Sequence, residues 1–340
     1  MTRLLPAKFV FQLLLAFVAG AIGVLAFAPF YFWPIALVSM LLLFALWHRA
    51  ATSGRAMAIG FVWGLGLFIF GVPWIYVSLH DFGGMPAMIA AGFTFLFCCY
   101  LSIFPALAGA LHRQLVSRCG ISAVASLLLV MPACFVMFEY VRGWFFSGFP
   151  WLVFGYSQTP GGLIAPLMGY APIVGVFGIS WILAVTAGSC VLLVRGMSGV
   201  VWSQRGRVMA VVAIFIVFGI GSALHHVSWS APAGAPLSVA LMQGNIEQSL
   251  KWRDDQREVT LGNYRRLVEA SKARLIVLPE TALPMSLHDV PVDYLALLKR
   301  RSEANGGDMI VGVTIVERTS TNVDGYAVAN SAVSDRKSVV

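Results

Sequence analysis

Seven apolar runs, each long enough to cross a lipid bilayer, follow one another through the first two thirds of the chain. They lie near residues 9–27, 30–47, 56–79, 85–111, 121–141, 172–194 and 208–224. A helix of about 20 apolar residues matches the hydrocarbon thickness of a bilayer. Only 11% of the residues are charged, against about 25% in soluble domains. The runs therefore predict a polytopic α-helical membrane bundle.

The positive charges between these runs predict an orientation. Nine of the ten basic residues before residue 231 fall on one side of the membrane if the N-terminus is cytoplasmic, and only Arg142 falls on the other. Positively charged loops mark the cytoplasmic face. Because seven is an odd number, residues 226–340 would lie outside the cytoplasm. We expect a multi-pass membrane protein with a cytoplasmic N-terminus. If the cell is a Gram-negative bacterium, the membrane is the inner membrane and this tail lies in the periplasm.

The basic character of the chain belongs to the membrane loops alone. The first 230 residues hold ten bases and two acids and so carry the whole formal charge of +8, which leaves the remainder neutral. Nothing in this distribution favours nucleic-acid binding. All five cysteines lie at or before Cys190, without a disulfide or zinc-ligand spacing. We therefore expect no metal and no cofactor.

An aromatic segment at 143–156 separates the fifth and sixth runs, and Gly and Pro interrupt it too often for a spanning helix. Its aromatic density is typical of the membrane–water interface. It could be an interfacial anchor or the wall of a lipid-binding cleft. Just before it, Glu139 and Arg142 are three residues apart and could pair near the end of the fifth span. Charged groups are costly in a membrane, so both are candidates for shaping a lipid site.

The tail changes character after a linker at 226–236. Strand and helix patterns alternate from residue 237 to residue 340, which predicts an α/β layer structure. The strands are predicted at 237–242, 275–278, 309–316 and 326–333, the helices at 254–271 and 292–304, and a turn at 321–325. The segment is short for a large α/β domain, so we expect an incomplete fold. Residues 1–225 form the predicted seven-helix domain.

Glu280 follows the apolar strand at 275–278, directly after Pro279. Thr281, Ala282 and Pro284 argue against a simple continuation of a strand or helix. A carboxylate at the carboxyl end of a strand is in the usual position for an α/β active site. Glu280 is therefore a candidate catalytic base, and the alternative is a buried acid satisfied by backbone N–H groups.

Several strings in the chain resemble a known membrane-enzyme family. In the tail they are VALMQGNI at 239–246, KW at 251–252 and LPETALP at 278–284. In the membrane part they are FGVPWIYVS at 70–78, EYVRG at 139–143, GFPW at 148–151, GYSQ at 155–158 and GYAPIVG at 169–175. This ordered set, from about residue 11 to about residue 332, resembles the apolipoprotein N-acyltransferases, which are membrane members of the nitrilase superfamily. Leu278 departs from the pattern, because the family commonly has Trp there.

The resemblance implies a fold, a reaction and site residues. The tail would be a partial nitrilase-like αββα domain. The reaction would transfer an acyl chain from a phospholipid to the N-terminal amino group of diacylglyceryl-cysteine apolipoproteins, through a Glu-Lys-Cys thioester mechanism. Glu280 would be the buried catalytic glutamate. Trp252 matches a tryptophan near the site, Trp151 one at the membrane face of the cleft, and Asn330 an asparagine on the strand before the lysine segment.

The lysine and cysteine of this mechanism have no counterpart in the chain. Lys337 lacks the sequence context of the family's lysine, and every cysteine precedes the tail domain. We therefore expect the 340 residues as given to be inactive, since a base without its thiol loses the covalent route.

The expected partners are a phospholipid acyl donor, a diacylglyceryl apolipoprotein acceptor and the membrane, with the protein as a monomer and no nucleic acid. The sequence leaves two alternative functions open. A non-catalytic membrane protein could bind phospholipid or lipoprotein through the same cleft, which would require a folded tail domain. A carbon–nitrogen hydrolase of small amides would share the chemistry, but seven spans favour a lipid substrate.

Overall fold

The computed structural model describes residues 6–159, 165–194, 203–318 and 326–334. The turn predicted at 321–325 and Lys337 lie outside these ranges. The chain divides into two compact units, Met1–Ala231 and Pro232–Val340. The division falls inside the predicted linker, while the finer domain bounds stay predictions.

The first unit is helical. Its long helices in the described ranges are α1 (Ala7–Gly23), α2 (Pro34–His48), α3 (Ser53–Gly71), α4 (Ala87–Cys119), α5 (Met131–Arg142), α6 (Ala171–Leu193) and α7 (Gln204–Leu224). Short helical segments extend three of them, so that the spans become Ala7–Ala26, Ala123–Arg142 and Pro166–Leu193. The chain is a multi-pass membrane protein.

The second predicted run differs from the other six. Six described helices are long and apolar enough to cross a membrane, whereas α2 has only 15 residues. At 1.5 Å per residue α2 is about 22 Å long, shorter than a hydrocarbon core of roughly 30 Å. The count of seven spans and the orientation that depends on it stay predictions.

Small and polar residues hold the helices of this unit together. Ala16 and Ala19 of α1 are fully buried, and α1 packs against α3. The Ser39 hydroxyl donates to the Ala19 carbonyl oxygen at 2.6 Å and accepts from Trp63 Nε1 at 3.1 Å. Such interhelical hydrogen bonds replace the hydrophobic driving force that lipid does not supply.

The second unit is an α/β layer. Its strands are β1 (Val239–Leu241), β2 (Leu275–Val277), β3 (Leu283–Ser286), β4 (Asp308–Arg318) and β5 (Tyr326–Ser334), and its helices are α8 (Arg257–Ala270) and α9 (Val292–Ala304). The sheet order is β1-β2-β4-β3, with β5 also paired to β4. β1 to β4 pair in parallel and β5 runs antiparallel. The predicted strands and helices are therefore present, and the incomplete α/β fold class is confirmed.

The apolar faces of the helices and the sheet meet in two hydrophobic clusters. Tyr264 and Val268 of α8 and Leu298 of α9 pack with Ile276 of β2 and Met309 of β4. All five are at most 5% exposed. Tyr264 and Val268 are thus on the face of α8 that packs on the sheet.

β3 was not predicted, because Pro284 indicates a break. β2 and β3 both pair with β4, but with different offsets: Leu275 lies opposite Asp308, and Leu283 lies opposite Val313. From Leu275 to Leu283 the chain is therefore three residues longer than the facing part of β4, from Asp308 to Val313. β3 is at the edge of the sheet, where a proline without an N–H is tolerated. The extra residues form a bulge at 278–282 that carries Glu280.

Candidate functional site

The bulge presents Glu280 at the carboxyl end of β2. Its ends are fixed by backbone hydrogen bonds, from Leu278 N to Ile310 O at 2.8 Å and from Ala282 N to Gly312 O at 2.9 Å. Gly312 allows the bulge to lie directly on β4, because an added Cβ would be 2.2 Å from Pro279 O. A side chain at position 312 would therefore displace the segment that bears the carboxylate.

Asn330 contacts the Glu280 side chain. It lies on β5 opposite Thr314 of β4, and its Nδ2 donates to Glu280 Oε1. This bond joins two residues that are 50 positions apart. It orients one carboxylate oxygen and leaves the group able to accept a proton.

Glu280 is exposed, contrary to the buried carboxylate that the resemblance implies. Pro279 and Asn330 beside it are exposed as well. The physical reason is that the side chain lies beyond the last paired residue of β2, and nothing in the described ranges closes over it.

Lys251 holds the main chain of the bulge from the other side. Its Nζ donates to Thr281 Oγ1 at 2.5 Å and to the Glu280 carbonyl oxygen at 3.2 Å. Thr281 has a φ of 44°, a left-handed conformation that is an outlier for a β-branched residue. Strained conformations of this kind persist where the surroundings over-determine them, and they cluster at functional sites.

A polar cleft of about 300 Å³ opens beside the bulge. The residues around it include Gln243, Asn245, Gln248, Lys251, Thr260, Tyr264, Glu280 and Thr281. Asn245 has a φ of 49°, so both sides of the cleft carry a left-handed residue other than glycine. Burial raises the pKa of the Tyr264 phenol. The cleft thus combines a carboxylate, a cation and neutral hydrogen-bonding groups.

Trp252 follows Lys251 in the chain but does not line the cleft. Its side chain is 54% exposed. Its assignment as a residue near the site stays a prediction.

The other three candidate residues belong to the helical unit. Arg142 Nη1 donates to the carbonyl oxygens of Phe149 and Trp151, each at 2.6 Å. Glu139 Oε1 accepts from Phe154 N at 2.7 Å. The two side chains thus bind the backbone of one loop. Among the ion pairs of the described residues, none joins Glu139 to Arg142. Glu139 and Arg142 thus bind the loop backbone and do not form a direct ion pair, and their part in shaping a lipid site stays a prediction.

Over the described ranges, no cluster of three or more His, Cys, Asp and Glu side chains could hold a metal ion.

Sequence reasoning did not assign roles to Lys251, Thr281 and Gly312. Lys251 lies 29 and 30 positions from the residues that it binds, so no local pattern indicates the contact. For Asn245, the dipeptide Gly244-Asn245 was an available signal, since Asn is enriched at positive φ.

Comparison with known proteins gives a consistent result. A family described as "Apolipoprotein N-acyltransferase N-terminal domain" matches residues 19–189, about half of the chain. Proteins named apolipoprotein N-acyltransferase from Nitrosomonas europaea and Methylococcus capsulatus are 40% and 42% identical over 321 and 306 residues. These matches cover 93% and 90% of this chain. A third, from Chromobacterium violaceum, is 38% identical over 96% of the chain.

The matched regions are 60%, 58% and 60% of these three relatives, so the chain spans about three fifths of their length. The family match falls in the helical unit, and the relatives extend the similarity to nine tenths of the chain or more. The chain belongs to the apolipoprotein N-acyltransferase family.

Proposed function

We propose that this chain provides the membrane unit and the catalytic carboxylate for transfer of an acyl chain from a phospholipid to the N-terminal amino group of a diacylglyceryl-cysteine apolipoprotein. The observation that carries the proposal is the Glu280 bulge, in which Asn330 holds the carboxylate and Lys251 holds the main chain. The bulge opens on a polar cleft at the end of a parallel sheet, where α/β active sites form.

Glu280 would act as the general base. Its carboxylate would take the proton of a cysteine thiol, and the thiolate would attack the phospholipid ester carbonyl. The ester C–O bond then breaks, and the lysophospholipid leaves with the proton. In the second half-reaction the acceptor amine attacks the thioester and releases the thiol. A lysine cation and backbone N–H groups would stabilise the oxyanion in both steps.

The 340 residues supply only part of this machinery. All five cysteines precede residue 191, and they belong to the helical unit. The second unit therefore contains no thiol that Glu280 could deprotonate. We propose that residues 1–340 alone do not complete the transfer, and that the protein acts in the bacterial inner membrane with its second unit in the periplasm.

The first test is complementation. Residues 1–340 are expressed in cells depleted of their own enzyme, and N-acylation of a lipoprotein is read from the mass of its N-terminal peptide. We expect no restoration. Restored acylation would show that the missing lysine and cysteine are dispensable or come from elsewhere.

The second test isolates Glu280. Residues 1–334 are joined to the part of a full-length relative that follows the counterpart of Ser334, and the hybrid is expected to restore N-acylation. A general base contributes about 10²- to 10⁴-fold to a rate, so Glu280→Gln should lower the initial rate at least a hundredfold. The matched control is Glu303→Gln, which removes an exposed carboxylate 3.9 Å from Lys299. An active Glu280→Gln hybrid would refute the assignment.

A further inference from the structure

Two buried polar side chains of α5 bind the backbone of the aromatic loop that follows this helix. Arg142 is 4% exposed and Glu139 is 6% exposed. Between them they make three hydrogen bonds of 2.6 to 2.7 Å to the backbone of Phe149, Trp151 and Phe154. Bonds of this length from an ionised guanidinium are among the strong ones in proteins.

Burying a guanidinium and a carboxyl group in a membrane helix is costly unless polar partners compensate for lost hydration. Arg142 lies 5.3 Å above the Phe68 ring, and its guanidinium donates to two carbonyl oxygens that have no intrahelical partner. A loop that served only as an interfacial anchor would not need a buried cation at its base. The arrangement instead indicates that the conformation of the loop matters.

The backbone between the anchored residues is strained. Leu152 has a φ of 56° and is 8% exposed. It lies between Trp151, whose carbonyl oxygen Arg142 binds, and Phe154, whose N–H Glu139 binds. Its left-handed conformation is therefore enforced from both sides. Gly155 follows at a point where an added Cβ would be 2.1 Å from Val176 O, so the chain is also held against α6.

The fixed loop presents a cluster of aromatic rings. Trp74 lies 5.4 Å from Trp151 and 6.3 Å from Phe149, between ring centroids, and Phe149 lies 6.2 Å from Trp151. Trp151 is 49% exposed and Trp74 is 44% exposed. A loop that joins two membrane-length helices is expected at the membrane–water interface, where phospholipid glycerol and ester groups are found.

We propose that Arg142 and Glu139 are positioning residues that hold Trp151, Trp74 and Phe149 as a rigid aromatic surface for the phospholipid. They act through the loop backbone and do not touch the lipid themselves. The inference rests on the proposed function for the choice of phospholipid as the occupant, but the geometry of the surface can be measured without any acyl transfer.

The test uses the full chain, labelled with 5-fluorotryptophan and reconstituted in phospholipid nanodiscs. Fluorine NMR reads each tryptophan, and Trp151→Phe and Trp74→Phe assign the two resonances. Trp47, which is fully buried and bonded to Ala56 O at 3.0 Å, reports on the fold. In the unmodified protein we expect one narrow Trp151 line when the phospholipid is unlabelled. Phospholipid that carries a nitroxide near the ester groups should broaden this line.

Arg142→Gln should split or broaden the Trp151 and Trp74 lines and lower the nitroxide effect on Trp151 at least about threefold, with Trp47 unchanged. The control Arg118→Gln removes an exposed cation at the end of α4 and should change neither line. Glu139→Leu removes the acceptor for Phe154 N, and Glu139→Gln restores an acceptor oxygen. Glu139→Gln should therefore return the Trp151 line toward that of the unmodified protein.

Each outcome decides the inference. A Trp151 line that is the same in Arg142→Gln and Arg118→Gln would overturn the positioning role, and so would equal lines in the two Glu139 variants. If Arg142→Gln also shifts Trp47, the Glu139 pair alone decides. Absence of any nitroxide effect on Trp151 in the unmodified protein would exclude phospholipid as the occupant. Failure of the hybrid with a full-length relative to transfer an acyl chain, while this surface is intact, would count against the proposed function only.

Discussion

Thr281 is the residue whose conformation most directly determines where Glu280 points. A threonine at a φ of 44° costs about 1–3 kcal/mol relative to an ordinary conformation. The bond from Lys251 Nζ to Thr281 Oγ1, at 2.5 Å, is available only while the bulge keeps this shape. Lys251 thus offsets part of the strain at Thr281. It thereby also holds Glu280, the residue before Thr281, in place.

Lys251→Met should therefore let the bulge open more often. A hydrogen bond to a charged group contributes about 1.5–3 kcal/mol, and the partial exposure of Lys251 reduces this to roughly 1 kcal/mol. The exchange of the Ala282 amide, which donates to Gly312 O, should become about fivefold faster. Hydrogen–deuterium exchange of the peptide that covers 278–286, followed by mass spectrometry, measures this.

Two variants test the reason for that change. Lys251→Arg keeps the cation and should stay near the exchange rate of the unmodified chain. Thr281→Gly removes the strain, since glycine adopts positive φ freely, and it also removes the Oγ1 that Lys251 binds. For both reasons the further change to Lys251→Met should then have a smaller effect. Equal exchange in the unmodified chain and in Lys251→Met would show that the lysine does not hold the bulge.

The elements of the second unit show which parts of the fold a sequence can reveal. Alternating strand and helix patterns predicted β1, β2, β4, β5 and both helices, because each has its own apolar periodicity. β3 was missed since its four residues include Pro284, and only its position at the sheet edge makes that proline tolerable. Glu280 and Asn330 could be named from resemblance, but their contact depends on the register of β5 against β4. Register is set by long-range pairing.

The contact between α8 and α9 makes the stability of the second unit depend on pH. Tyr294 of α9 donates its hydroxyl to the Leu261 carbonyl oxygen of α8 at 2.9 Å. Burial, with a smaller contribution from Tyr264, raises the pKa of Tyr294 from 10.0 to about 12. The folded unit thus keeps this proton where the unfolded chain has lost it. Its contribution to stability is complete below about pH 10 and is lost as the pH rises through about 12.

Phenolate absorbance near 295 nm measures this titration. The difference between the unmodified chain and Tyr294→Phe should show a single tyrosine with a midpoint near pH 12, provided that both remain folded by circular dichroism. A midpoint near pH 10 in the difference curve would contradict the buried hydrogen bond between the helices.

At the scale of the whole molecule, hydropathy and charge predict the class of protein more readily than the number of membrane spans. Composition alone identifies a membrane protein, and six of the seven apolar runs are helices of membrane length. The 15 residues of α2 show why the count is harder, since a buried apolar helix and a short span have the same composition. The orientation follows from the distribution of nine basic residues and depends on that count.

The segment between the two units allows the orientation to be tested. Every residue from 225 to 239 is exposed, so a site for a sequence-specific protease inserted at Gly234 should be cut readily. With the predicted orientation, protease added to spheroplasts should cut there and leave the helical unit in the membrane. The control is the same site inserted at Ala51, between α2 and α3, where nearby Arg49 and Arg55 predict the cytoplasmic face. That site should be cut only in inverted vesicles. Protection at Gly234 with cleavage at Ala51 in spheroplasts would contradict the predicted orientation. Cleavage of both sites from one side would mean that an even number of segments cross the membrane between Ala51 and Gly234, whereas the five membrane-length helices found there predict an odd number.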